Sequence, residues 1–174
     1  MPAKPACFSP THLHELDLAA NLAADLVSEA YDLDFGNFRQ WPVDIRHYPQ
    51  LSDEEKRYDV LAQLFRYSRH DAVPKGGQPD FWRVCLYDPV ILAAMEREAL
   101  DLHSLLCYIL THELIHVSRF IRFMELFGLD KAARAREEEI VHAETVLLLS
   151  KLNKTALTPV LSLFQTGRLA LDEK

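Results

Sequence analysis

Glycine is scarce, with 5 residues in 174, too few for the many tight turns of an all-β chain. Cysteine is scarcer still. Cys7, Cys85 and Cys107 are odd in number, scattered, and without a C-x-x-C pair. They make a poor disulfide framework and suit a reducing compartment. The longest apolar runs, such as Val90 to Met95 and Leu105 to Leu110, are too short to span a bilayer. The opening Met-Pro-Ala-Lys-Pro-Ala-Cys lacks the unbroken apolar stretch of a signal peptide. The expectation is a cytoplasmic protein with no membrane partner. Basic charge is in deficit: 19 Lys+Arg against 26 Asp+Glu leave a net charge of -7, which argues against a nucleic-acid partner. No Gly-rich phosphate loop or serine-nucleophile elbow is present.

What is present reads as one globular domain over residues 1-174. Hydrophobic residues make up 49% and charged residues 26%, enough for a continuous core without staples. Ser9-Pro10 predicts a helix start, and Leu18, Leu22, Leu26 and Ala30 carry the helical period to about Tyr31. Phe38 to Tyr48 alternates roughly as a strand, which Pro42 pushes toward a sheet edge. Ser52-Asp-Glu-Glu55 has the capping-box pattern and predicts a helix through Leu61 and Phe65 to about Ser68. Pro74 to Gly77 reads as a turn, Phe81 to Tyr87 as a strand, and Asp88-Pro89 as the cap of a helix ending near Glu98. Two long helices follow, one opened by Asp101 with apolar spacing to Phe127, the other running from about Lys131 to Leu152. Thr158-Pro159 opens a last short one.

Chemistry is concentrated in His112-Glu-Leu-Ile-His116. Histidines four apart on a helix project from one face, where two neutral ring nitrogens reach one Zn²⁺ at about 2.0–2.1 Å. Glu113 stands beside them, placed to take a proton from water and return it to a leaving group. A catalytic zinc needs a third protein ligand and an open position. The segment Glu137-Glu-Glu-Ile-Val-His-Ala-Glu144 offers one. Folding the two long helices into an antiparallel hairpin about residues 127 to 128 brings His116 level with residues 138 to 140. Glu137, Glu144 and Lys151 recur every seven residues and read as the solvated face, which turns His142 inward. Glu138 is the expected third ligand, Glu139 the alternate, and His142 a supporting group or extra ligand.

With the acidic helix following, His112-Glu-Leu-Ile-His116 resembles the gluzincin branch of the zincin metallopeptidases. Glu138-Glu-Ile-Val-His142 is similar to that branch's Glu-x-x-x-Asp pattern, with His in the Asp position. The resemblance implies a mainly helical α+β domain with a small sheet packed on the motif helix. It implies one zinc per chain and hydrolysis of a peptide or protein substrate, with Phe81 to Tyr87 similar to the edge strand that holds extended substrate in that family. Iron is the runner-up metal, since two His and one carboxylate also suit ferrous iron.

A rival reading pairs Glu113-x-x-His116 with Glu139-x-x-His142 as a di-iron carboxylate bundle, with Glu29 and Glu96 supplying the remaining carboxylates. Another keeps the fold as a non-catalytic metal-binding or interaction module. His12, His14 and Glu15 read as an exposed helix end. Arg119 and Arg122 read as a solvated face or as partners of nearby Glu in preference to binders of a substrate carboxylate, Cys107 as a buried inert thiol, and Tyr108 as a residue of the motif helix with no assigned role.

Overall fold

The computed structural model describes residues 5–33, 43–67, 81–123 and 130–171. Along them run α1 (Pro10–Tyr31), β1 (Val43–His47), β2 (Ala62–Tyr67), β3 (Phe81–Leu86), α2 (Asp88–Glu98), α3 (Leu102–Arg122), α4 (Lys131–Ser150) and α5 (Leu157–Gln165). The arrangement is α+β and mostly helical. Among the described residues, no helix is long and apolar enough to cross a membrane. The three cysteines are free.

The helix ends follow local chemistry. The Ser9 hydroxyl accepts from the His12 N–H at 3.2 Å, and His12 Nδ1 accepts from the Ser9 N–H at 3.3 Å. This reciprocal cap accounts for His12. Asp101 and Asp130 accept from the N–H groups of Ser104 and Ala133 at 2.8 Å each, caps that stabilise by about 1 kcal/mol apiece. Asp88 lies inside the first turn of α2 and has a different use from the expected cap. It is wholly buried, accepting from the Phe8 and Tyr48 N–H groups at 2.9 and 3.0 Å and meeting His47 Nδ1 at 2.9 Å. α3 stops at Arg122, where the Phe123 N–H closes on the Arg119 carbonyl at 2.7 Å. The expected continuation to Phe127 and the turn at Gly128 lie outside the described residues, as do Pro42 and the Pro74–Gly77 turn.

The segment after Ser52 departs from expectation. Glu55 does accept from the Ser52 N–H at 2.9 Å, as a capping box would have it. The chain then turns instead of continuing as a helix, and Ala62–Tyr67 pairs as a strand. Glu55 is held by partners far along the chain: Tyr67 donates to it, and Arg83 Nη1 bonds it at 2.8 Å. Along β2, Leu64 packs on the main core and Phe65 on a second cluster. That alternation is a strand's, and it favours sheet pairing over the local cap.

The sheet order is β1-β3-β2, with β3 parallel to β1 and antiparallel to β2. β1 is an edge, as expected. β3 is central, which corrects its reading as the edge strand: both its backbone rims are already paired. Val84 and Leu86 face the main core, while Cys85 and the following Tyr87 face the second cluster with Tyr48, Leu51 and Val60.

α3 is the interior rod. Leu102 and every residue from Ser104 to Ser118 are buried. Such a helix is a core element packed on all sides, and α1, α4 and α5 lie against it. Leu105, Leu106, Ile109, Leu110 and Ile115 are fully enclosed, each contributing about 2 kcal/mol. Trp82 of β3 stacks on Phe120 of α3 with centroids 5.5 Å apart, and Phe120 stacks in turn on His116 at 5.8 Å. The sheet is thereby joined to the helix that carries the motif.

Candidate metal centre

The contacts between α3 and α4 run in opposite chain directions. Arg119 meets Glu137, His116 meets Glu138, and Tyr108 meets His142. This is the antiparallel hairpin the sequence predicts, and its register places Glu138 opposite the two histidines.

His112 Nε2 and His116 Nε2 lie 3.2 Å apart. Glu138 Oε2 is 3.4 Å from the first, and Glu138 Oε1 is 3.1 Å from the second. Ligands about 2.0–2.1 Å from one tetrahedral cation stand about 3.3–3.4 Å from each other. The two ring nitrogens stand at about that separation, and the Glu138 carboxylate spans them with one oxygen toward each ring. Among the described residues this is the one His/Cys/Asp/Glu group that could hold a metal ion, its ligand atoms all within 4.8 Å.

The environment suits a cation. The side chains of His112 and His116 are 6% and 8% exposed and that of Glu138 is 39% exposed, so the open side lies toward α4. Burial pushes the His112 pKa down to about 4, outweighing the raising effect of Glu138, so its ring is neutral at neutral pH and keeps a lone pair. Burial raises the Glu138 carboxyl, but hydrogen bonds from His112 and His116 more than offset this and hold it far below the usual carboxylate range. Nδ1 of both histidines is buried without a hydrogen-bond partner. Two imidazoles turned Nε2-first toward one carboxylate fit ligands better than packing groups. Glu113 is 2% exposed and lies on the same helix, about 60° around the axis from His116.

Other expected groups fall outside the cluster. Glu139 is exposed on α4, as are Glu29 on α1 and Glu96 on α2, so the carboxylates of the di-iron reading are not brought together. His142 is half-buried beside Glu138 and outside the convergent group. Burial lowers its pKa, against a raising effect from Glu138.

Glu137 and Glu144 do not form the expected solvated face. Glu137 is buried and takes two bonds from Arg119, at 2.5 Å to Nε and 2.9 Å to Nη2. Glu144 bonds the Tyr31 hydroxyl of α1 and stands 3.6 Å from Arg119 Nη1. The signal was present in the sequence. Glu137 falls in line with Val141, Thr145 and Leu148, all buried, and charge masked that apolar spacing. Arg122 donates to the Tyr31 carbonyl. Glu15 stands 3.2 Å from His103. Cys107 Sγ lies 3.4 Å from His103 Nε2, and burial pushes its thiol up to about 11, in keeping with an inert role. Arg83 is bound to Asp44 and Glu55, not presented to an extended ligand.

Tyr108 is the residue sequence reasoning left without a role. It stands one turn before His112, and its buried hydroxyl lies 2.5 Å from His142 Nδ1. Its position four residues before the first histidine, on the same face, was the available signal.

No family model, curated protein or solved structure matches this chain.

Proposed function

We propose that this chain is a zinc-dependent hydrolase of the gluzincin type, acting on the peptide bonds of a peptide or protein substrate. The observation that carries the reading is the convergence of His112 Nε2, His116 Nε2 and a Glu138 carboxylate at separations of 3.1 to 3.4 Å. They come from an H-E-x-x-H helix and its antiparallel neighbour. His112, His116 and Glu138 would hold the metal as the three protein ligands that a catalytic zinc takes. Zinc held there supplies Lewis acidity toward a carbonyl and acidifies water. Glu113 is the proton carrier: it accepts a proton from the attacking water and delivers it to the departing amine. Its low-dielectric surroundings strengthen its interactions with charge in the site. The net charge of -7 supports a substrate other than nucleic acid.

Two measurements test the reading. Elemental analysis of the purified protein is expected to give one zinc per chain; two irons would favour the bundle reading instead. Glu113→Gln is expected to retain the metal and lose cleavage of a peptide panel by at least about 100-fold, the low end for removing a general base. If the wild type holds metal yet cleaves nothing across that panel, a non-catalytic metal-binding module replaces the enzyme.

A further inference from the structure

Tyr108 and His142 form a pair that the three ligands and Glu113 do not use. The Tyr108 ring is fully buried, stacked on Phe164 at 3.7 Å between centroids and 6.0 Å from His112. Its hydroxyl meets His142 Nδ1 at 2.5 Å. Among the described residues, that nitrogen is the hydroxyl's one hydrogen-bond partner. A fully buried phenol with a single nitrogen partner satisfies its O–H by donating, because among the described residues its proton has no other acceptor. Nδ1 of His142 must then be the bare nitrogen, and a neutral ring carries its proton on Nε2. A protonated Nε2 has no lone pair for a cation but is a ready donor to oxygen. His142 is, in keeping with this, absent from the convergent ligand group. It lies one turn beyond Glu138 on α4, is only half-buried, and is close enough to Glu138 and His112 to feel their charge.

We propose that His142 is a hydrogen-bond donor to the substrate oxygen on which negative charge builds during hydrolysis, and that Tyr108 is the positioning residue that fixes its tautomer. The substrate half rests on the hydrolytic reading above, while the tautomer half stands on the hydrogen bond alone. Fixed donors aimed at developing charge act without reorganisation. The same pairing separates the three histidines by role: two offer Nε2 as a base, and the third offers Nε2–H.

The test is long-range ¹H–¹⁵N correlation of histidine ring nitrogens in the full chain, first without metal and then with one equivalent of zinc. His142 is expected as the Nε2–H tautomer in both spectra, while the ring nitrogens of His112 and His116 move on zinc addition. Tyr108→Phe is expected to mix the His142 tautomers and leave the apparent zinc Kd within about threefold. His142→Ala is expected to lower kcat about 100-fold with little change in KM, the size seen for loss of one such donor. A ligand-like shift of His142 on zinc addition, or an Nδ1–H tautomer in the wild type, overturns the assignment and leaves the hydrolytic reading standing. The wild-type spectra alone decide this if Tyr108→Phe does not fold. An absence of wild-type cleavage overturns the substrate half together with the hydrolytic reading.

Discussion

Glu138 and Glu139 are chemically identical neighbours on α4, and one helical step separates their roles. Glu138 reaches both histidines, at 3.4 and 3.1 Å, whereas Glu139 is exposed. Glu138→Gln is therefore expected to weaken zinc binding at least about 100-fold, the upper end of what losing even an outer partner costs. Glu139→Gln should leave it unchanged. Competition against a chromogenic chelator reads both, and equal effects would displace Glu138 from the site. At this scale the motif histidines and Glu138 were legible, because i,i+4 spacing and hairpin register are local geometry. Tyr108 was not, because its significance depends on a ring thirty-four positions away on another helix.

Between elements, two charge clusters hold neighbouring segments in register, one beside the candidate site and one at the sheet. Arg119 and Glu137 pair α3 to α4 with side chains 13% and 7% exposed, so removing one partner strands the other in a poorly hydrated place. Arg119→Ala is expected to cost about 3 kcal/mol in urea unfolding; a loss below about 1 kcal/mol would show the pair to be effectively solvated. Glu55 ties the Ser52 turn to β2 and β3. Burial raises its pKa, but bonds from Tyr67, the Ser52 N–H and Arg83 override this and bring it from 4.5 to about 2. A carboxyl depressed by folding stabilises above its unfolded pKa and loses that contribution as pH falls through its folded one. Glu55→Gln is accordingly expected to be less stable than wild type at pH 7, with the gap closing between about pH 4.5 and 2. Unfolding midpoints measured against pH check this, and a constant gap would contradict it. Glu55 also explains the misread element. Its capping contact with Ser52 forms, but the same carboxylate serves Tyr67 and Arg83, contacts no local window contains. The position of β3 was hidden for the same reason: strand order comes from pairing across long separations, whereas strand identity comes from alternation along Phe81–Leu86.

For the whole molecule, the candidate cation site spans two helices that also pack on each other, so a bound metal is expected to add stability without being required for folding. A ligand at a thousand times its Kd adds about 4 kcal/mol, which for a chain of this length corresponds to roughly 10 °C in Tm. Stripping the protein with a strong chelator is expected to lower Tm by about that amount while retaining a cooperative transition, and an unchanged Tm would argue against a resident ion. The site itself is carried by α3, which touches solvent at almost no position from Leu102 to Ser118. Most helices keep one flank on which sequence can wander at no cost. This rod has none, so neutral variation is left to the outward sides of α1 and α4, and the two histidines of the candidate site are embedded in a stretch where nearly every letter is constrained by its neighbours in space.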